Sequence, residues 1–156
     1  STYFGQKIED GLNDSKELFV KKLISVLETI KSHKLKLNVE MYSPFNITSN
    51  DVLQSDGIMI GTIENFGYMA GATKDFFDRC YNDLLEKSQG LPVFYYVRAG
   101  LDGEGSERAL NRIILGLKWK QVLKPLILKG QWNDNFITLL SDASLNFAMG
   151  IEEGIY

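Results

Sequence analysis

Two segments of this 156-residue chain combine glycine, aromatic and hydrogen-bonding residues more densely than ordinary connections do. The first is Thr62-Ile63-Glu64-Asn65-Phe66-Gly67-Tyr68-Met69-Ala70-Gly71, and the second is Gly100-Leu101-Asp102-Gly103-Glu104-Gly105-Ser106. Glycines let a backbone approach a flat ligand closely and present N–H groups to it, while Phe66 and Tyr68 offer faces for ring contact. Glu64 and Asn65 suit hydrogen bonding to a ring edge, and equally suit capping of the next helix or an Asx turn. Asp102, Gly103, Glu104 and Gly105 suit a ligand loop or a tight turn into a helix. The first segment thus suits contact with a flat ring or a loop that packs its aromatics on the neighbouring helix, and both readings stay open.

Other reactive side chains form no constellation. With one histidine, His33, and one cysteine, Cys80, no ordinary zinc site can be assembled, and no Ser/His/Asp triad can be argued. Cys80 lies in an apolar helical stretch with only Arg79 beside it to lower its pKa, which reads as a buried, inert thiol. His33 follows a helix, where a cation suits the terminal carbonyls. Lys74 with Asp78, and Asp75 with Arg79, stand four residues apart and read as a solvated, self-paired helix face. Asn46-Ile47-Thr48 matches a glycosylation acceptor but is read as chance.

The elements that must position the two segments follow from periodicity. Leu18, Phe19, Leu23, Ile24, Val26, Leu27 and Ile30 recur at helical steps between Asn13 and His33, with Asp14 or Ser15 as cap. Leu35, Leu37, Val39 and Met41 alternate with polar residues as in an edge strand, ended by Pro44. After a helical turn near Ser49 to Leu53, Gly57-Ile58-Met59-Ile60-Gly61 is apolar on both faces, as a central parallel strand is. A helix from Ala70 to Lys87, a buried strand at Pro92 to Ala99 and a helix from Glu104 to Gly116 follow. A strand at Pro125 to Leu128 and a helix from Asn133 to Met149 complete the series. Strand and helix alternate, so the fold class is α/β in one domain, with parallel strands and right-handed crossovers. Ligands of such sheets bind beyond the carboxyl ends of the strands, where both segments fall.

Composition narrows the partners. Seventeen Lys+Arg against twenty Asp+Glu give a net charge of -3, which leaves no basic excess for nucleic acid. No run approaches the ~18 apolar residues of a membrane span, and no basic-then-apolar leader is visible, so no membrane partner is expected. A single cysteine fits a reducing, cytoplasmic compartment.

From Asp56 through Arg79 the chain reads Asp-Gly-Ile-Met-Ile-Gly-Thr, then Glu-Asn-Phe-Gly-Tyr-Met-Ala-Gly, then Lys-Asp-Phe-Phe-Asp-Arg. With Gly116-Leu117-Lys118-Trp119, the Pro125 strand and the end from Gly150 to Tyr156, it resembles the flavodoxin-like flavoproteins over about two thirds of its length. Within them it is most similar to the NAD(P)H-dependent FMN reductase and quinone reductase branch. The resemblance implies a three-layer fold, a parallel sheet in the order 2-1-3-4-5 with helices on both faces, and FMN at the switch point. It implies that Thr62, Glu64, Asn65, Phe66, Gly67 and Tyr68 run along the flavin ring, and that Gly100, Asp102 and Gly103 close its other side. Ile63 stands where the family usually has proline.

The first strand of that fold is not recognisable here. Ser1 and Thr2, in the stretch from Ser1 to Gln6, are left to contribute to a phosphate loop, in which hydroxyls and N–H groups at a helix start hold the phosphate, unless Thr2 to Ile8 is itself a poor strand. Either the chain is cut or altered before Ser1, or another segment fills the centre of the sheet.

If the resemblance extends to function, reduced nicotinamide stacks on the exposed ring face and passes hydride to the flavin, and a quinone or other small acceptor takes the electrons. No protein acid or base is required. The alternatives are an electron carrier without NAD(P)H activity and a cofactor-less binding module. Dimers are common in such families, and the aromatic loops are natural places for a partner chain to complete the site.

Overall fold

A computed structural model of the chain describes residues 35–156, preceded by Glu28, Ile30 and His33. Its elements are α1 (Ser49–Leu53), β1 (Ile58–Asn65), β2 (Tyr68–Met69), α2 (Gly71–Leu84), β3 (Pro92–Ala99), α3 (Glu104–Gly116), β4 (Lys120–Gln121), β5 (Leu126–Lys129) and α4 (Asn135–Glu152). β1 and β3 run parallel from Ile58↔Val93 to Ile63↔Arg98, and β4 and β5 both pair parallel with β3.

The two apolar runs form strands because both of their faces are covered. Ile58 and Ile60 of β1 and Val93, Tyr95 and Val97 of β3 pack on Phe76, Phe77 and Cys80 of α2 and on Leu110 and Ile114 of α3. The intervening Met59, Phe94 and Tyr96 point the other way, against Leu140 and Phe147 of α4. Helices therefore lie on both faces of a mostly parallel sheet, giving the three-layer α/β arrangement. Gly61 is required in this packing: a Cβ on it would fall 2.2 Å from the Tyr96 hydroxyl across the ladder.

The structure departs from the periodicity in several places. The segment after Gly61, read as a loop, continues β1 to Asn65 and folds back as β2, so one antiparallel pair joins the parallel sheet. The last strand is split. Pro92 pairs with Lys120, but Tyr96, four residues on, pairs with Leu126, six residues on, so two residues are extra in the edge strand around Pro125. α2 stops at Leu84 because Leu85 is extended (ψ 130°) and Glu86 takes a positive φ of 63°.

Leu35–Met41, read as a strand from its alternation, makes no ladder with any described residue. Its contacts are of another kind. The Lys36 N–H donates to Glu152 Oε1 at 2.6 Å, and the Tyr42 hydroxyl donates to Glu40. Of the helix expected from Asn13 to His33, Glu28 and Ile30 are helical, and its other positions lie outside the described residues except His33 in a turn. The order β1-β3-β4/β5 matches the 3-4-5 half of the expected 2-1-3-4-5 sheet, and the opening segment, where no first strand is recognisable in the sequence, lies outside the described residues.

Candidate functional site

The carboxyl ends of β1 and β3 lie side by side, and each leads into one of the two segments singled out above. β1 turns back through Phe66-Gly67, so that Glu64 pairs with Met69 and Asn65 with Tyr68. Both turn residues have positive φ, 52° at Phe66 and 72° at Gly67, as the two central positions of a type I′ hairpin require. Glycine adopts this backbone freely, whereas a phenylalanine does so at a cost of roughly 1–2 kcal/mol. The Phe66 ring is nonetheless wholly in solvent, at 108% relative exposure. A strained backbone that presents an aromatic ring to water is a sign of a contact surface.

Glu64 joins this hairpin to the second segment. The Leu101 N–H donates to Glu64 Oε2 at 2.9 Å, and the Gly103 N–H donates to Oε1 at 3.1 Å. Asp102 is occupied locally, its Oδ1 accepting from the Glu104 N–H at 2.9 Å where α3 begins. Gly103 is left-handed (φ 73°), and a Cβ there would meet Ile127 Cγ2 at 2.7 Å. The hairpin also touches α3 directly, at Gly67 and Gly105.

The expected site residues thus separate by position. Thr62 is buried (3% exposed), with its Oγ1 2.8 Å from Thr73 Oγ1 and accepting from the Ala70 N–H at 3.2 Å, so it fastens the start of α2 to β1. Glu64 ties the two loops, Asp102 caps, and Gly103 makes room for Ile127. Asn65, Phe66, Gly67, Tyr68 and Gly100 are exposed along the rim, and nothing stands within 4 Å of a Cβ placed on Gly67 or Gly100. Ser1 and Thr2 lie outside the described residues.

Two rim residues carry no clear signal in the sequence. Leu101 is exposed (76%) beside the hairpin. Arg98, the penultimate residue of β3, points its guanidinium across the carboxyl end of β5. There it donates to the carbonyls of Ala99, Leu128 (3.0 Å) and Gly130 (2.7 Å), 5.4 Å from the Phe136 ring centroid. Burial pushes its pKa down, yet an arginine stays charged throughout the ordinary pH range. An Arg within an otherwise apolar strand was the available clue.

Elsewhere the side chains behave as their spacing implies. Arg79 pairs with Asp75 at 2.7 Å and also donates to the Ile47 carbonyl at 3.1 Å, holding the loop before α1. Lys74 pairs with Asp78. Cys80 is buried, and burial pushes its thiol pKa up, away from nucleophilic use. Among the described residues no cluster of three His, Cys, Asp or Glu is placed to hold a metal ion, and no helix is long and apolar enough to cross a membrane.

No family model matches the chain, and no curated protein matches it in sequence. Solved structures do match its shape. A flavodoxin from the domain Archaea superposes with a TM-score of 0.70 at 14% identity, over 96% of this chain and 95% of that one. The chain has the flavodoxin-like fold. An oxidoreductase from Corynebacterium diphtheriae shares this fold at a TM-score of 0.64 and 14% identity, over 97% and 93% of the two chains. So does a rubredoxin oxygen:oxidoreductase from Desulfovibrio gigas, at a TM-score of 0.70 and 11% identity, where the match spans 99% of this chain and 36% of that one. In the flavodoxin-like fold the ligand crevice lies outside the carboxyl ends of the strands, where the Phe66 hairpin and the Gly100 loop stand.

Proposed function

We propose that the chain binds FMN against the rim formed by the Phe66 hairpin and the Gly100 loop and carries electrons from NAD(P)H to a quinone or another small acceptor. The observation that carries this reading is Phe66. An aromatic ring held in a left-handed backbone, in full exposure, at the ligand-binding edge of a flavodoxin-like sheet is suited to lie on a flat ring. The rest of the rim fits the ring end of such a ligand. Gly100 leaves its backbone open to close approach, the Asn65 amide offers both a donor and an acceptor, and Tyr68 adds a second aromatic face. The phosphate end falls to the segment of Ser1 and Thr2, outside the described residues.

When bound, FMN supplies the redox chemistry, and the chain supplies position and electrostatics. Phe66 and Tyr68 cover apolar ring surface and exclude water, and Asn65 orients the polar edge. Thr62 and Glu64 do not reach for the ligand; they hold the rim in place. Arg98 brings a fixed positive charge to the same end of the sheet, where it would favour the reduced, anionic form of a flavin ring over the oxidised, neutral ring. The acceptor is a small molecule, the compartment cytoplasmic, and a second copy of the chain can complete the open rim.

The second reading, an electron carrier without NAD(P)H turnover, is favoured equally by the flavodoxin among the structural neighbours. One experiment separates them. Purified protein is titrated with FMN while the visible spectrum is followed, and NADH or NADPH is then added with and without a quinone. Flavin binding with quinone-dependent NAD(P)H oxidation supports the reductase, and binding without turnover supports the carrier. Absence of binding overturns both and leaves a cofactor-less binding module.

A further inference from the structure

Glu64 has the residue type of a ring-edge ligand, yet both of its carboxylate oxygens are engaged within the protein, by N–H groups 37 and 39 residues further along the chain. Those donors alternate along the second segment, at Leu101 and Gly103. The residues beside them, Gly100 and Asp102, are exposed. The loop is thus anchored by two of its amides while Gly100, Leu101 and Asp102 stay exposed. Apart from this carboxylate, the hairpin rests on α3, where Met69 shares a buried core with Ala109 and Leu110 and Gly67 meets Gly105 backbone to backbone. Glu64 is the hairpin side chain that hydrogen-bonds to the Gly100–Gly103 loop.

We infer that Glu64 is a positioning residue: its carboxylate locks the hairpin and the Gly100–Gly103 loop into one wall before any ligand arrives. The inference rests on the flavin reading only for its effect on affinity. Two charge-assisted hydrogen bonds from backbone amides are strong enough to hold a short glycine-containing loop in one arrangement. Without them the loop samples several conformations, and a ligand that needs one of them binds more weakly in proportion to the fraction of time that arrangement is present. The carboxylate is required as well as the length of the side chain. A glutamine retains one acceptor oxygen and turns an NH2 group toward the second amide, and an aspartate is one methylene short.

The test uses the full chain with Glu64→Gln and Glu64→Asp, and with Ser88→Ala as a control. Ser88 accepts from the Trp119 indole at 2.7 Å beside the start of β3, at the opposite end of the sheet from the rim, so S88A destabilises without touching the wall. Amide hydrogen exchange is measured on the ligand-free proteins, and FMN affinity is measured by titration well below the melting temperature. E64Q and E64D are expected to exchange faster at Leu101 and Gly103 by on the order of 10-fold or more, and to raise the Kd for FMN roughly 10- to 100-fold. S88A is expected to lower the melting temperature and change neither quantity. Unchanged exchange at the two amides in both Glu64 variants overturns the inference, as does FMN binding that is equal or tighter, which would make the carboxylate a competitor. A wild-type protein that binds no FMN refutes the proposed function instead, and the exchange measurement still decides the role of Glu64.

Discussion

The Cα of Gly105, in the first turn of α3, lies against the carbonyl oxygen of Gly67 at the tip of the hairpin, so closely that a Cβ on Gly105 would stand 1.8 Å from that oxygen. Both partners are backbone, so no side chain can move aside. Gly105→Ala is therefore expected to push the hairpin off α3, at a cost of about 1–3 kcal/mol. Chemical denaturation checks the stability, and FMN titration checks the rim. An alanine variant with wild-type stability would show that the hairpin yields without effort.

Phe66 sets stability against contact. Asparagine tolerates a left-handed backbone far better than phenylalanine, so Phe66→Asn is expected to stabilise the fold by about 1 kcal/mol while removing the exposed ring. FMN binding should weaken by roughly 3- to 10-fold, the worth of one aromatic contact. Melting temperature and Kd measured on the same sample should move in these opposite senses.

Thr62→Val keeps the shape of a buried side chain and removes its hydroxyl. The Ala70 N–H loses its acceptor and Thr73 its hydroxyl partner, both in the core, for an expected loss of about 1–3 kcal/mol. Thr62→Ser, which keeps the hydroxyl, should lose less. Urea unfolding with an unchanged m-value is the check.

The Tyr42–Glu40 hydrogen bond makes stability depend on pH at both extremes. Its hold on the Tyr42 proton, aided by burial, raises that pKa from the ordinary 10.0 to about 12, so its contribution is complete below 10 and lost as pH rises through about 12. The same bond, and after it the one from Asn38, lowers the pKa of Glu40 below the ordinary 4.5. Its contribution is complete above that value and lost as pH falls through the lower one. Tyr42→Phe should flatten both limbs of the stability profile and remove one high-pH step from the tyrosinate absorbance titration.

Much of this architecture is legible in the order of residue types. Ile58 to Ile60 and Val93 to Val97 carry no polar alternation, which only a strand covered on both faces tolerates, and the helices between them show their apolar periods plainly. The hairpin is not legible, because Phe66-Gly67 lacks the Asn-Gly or Asp-Gly pair that announces a type I′ turn and the paired residues Asn65 and Tyr68 are polar. Local sequence also cannot assign the site residues their parts. Thr62, Glu64 and Asp102 all have the polarity of ligand contacts, and what separates them from Asn65 and Tyr68 is the partner each one finds: Thr62 is buried against Thr73 and the Ala70 N–H, Glu64 holds amides 37 and 39 residues on, and Asp102 accepts from the nearby Glu104 N–H. Leu35–Met41 alternates as a strand does, but among the described residues it has no strand to pair with, and a pattern along one segment cannot show its neighbour.

The two surplus residues around Pro125 interrupt the outer strand between Gln121 and Leu126. An unbroken edge would offer a continuous row of free backbone donors and acceptors, a template on which another polypeptide could add itself strand by strand. Here that row is broken in the middle, Pro125 has no N–H to give, and each remaining stretch is only two to four residues long. The kink thus leaves this side of the sheet a poor template for sheet-to-sheet polymerisation.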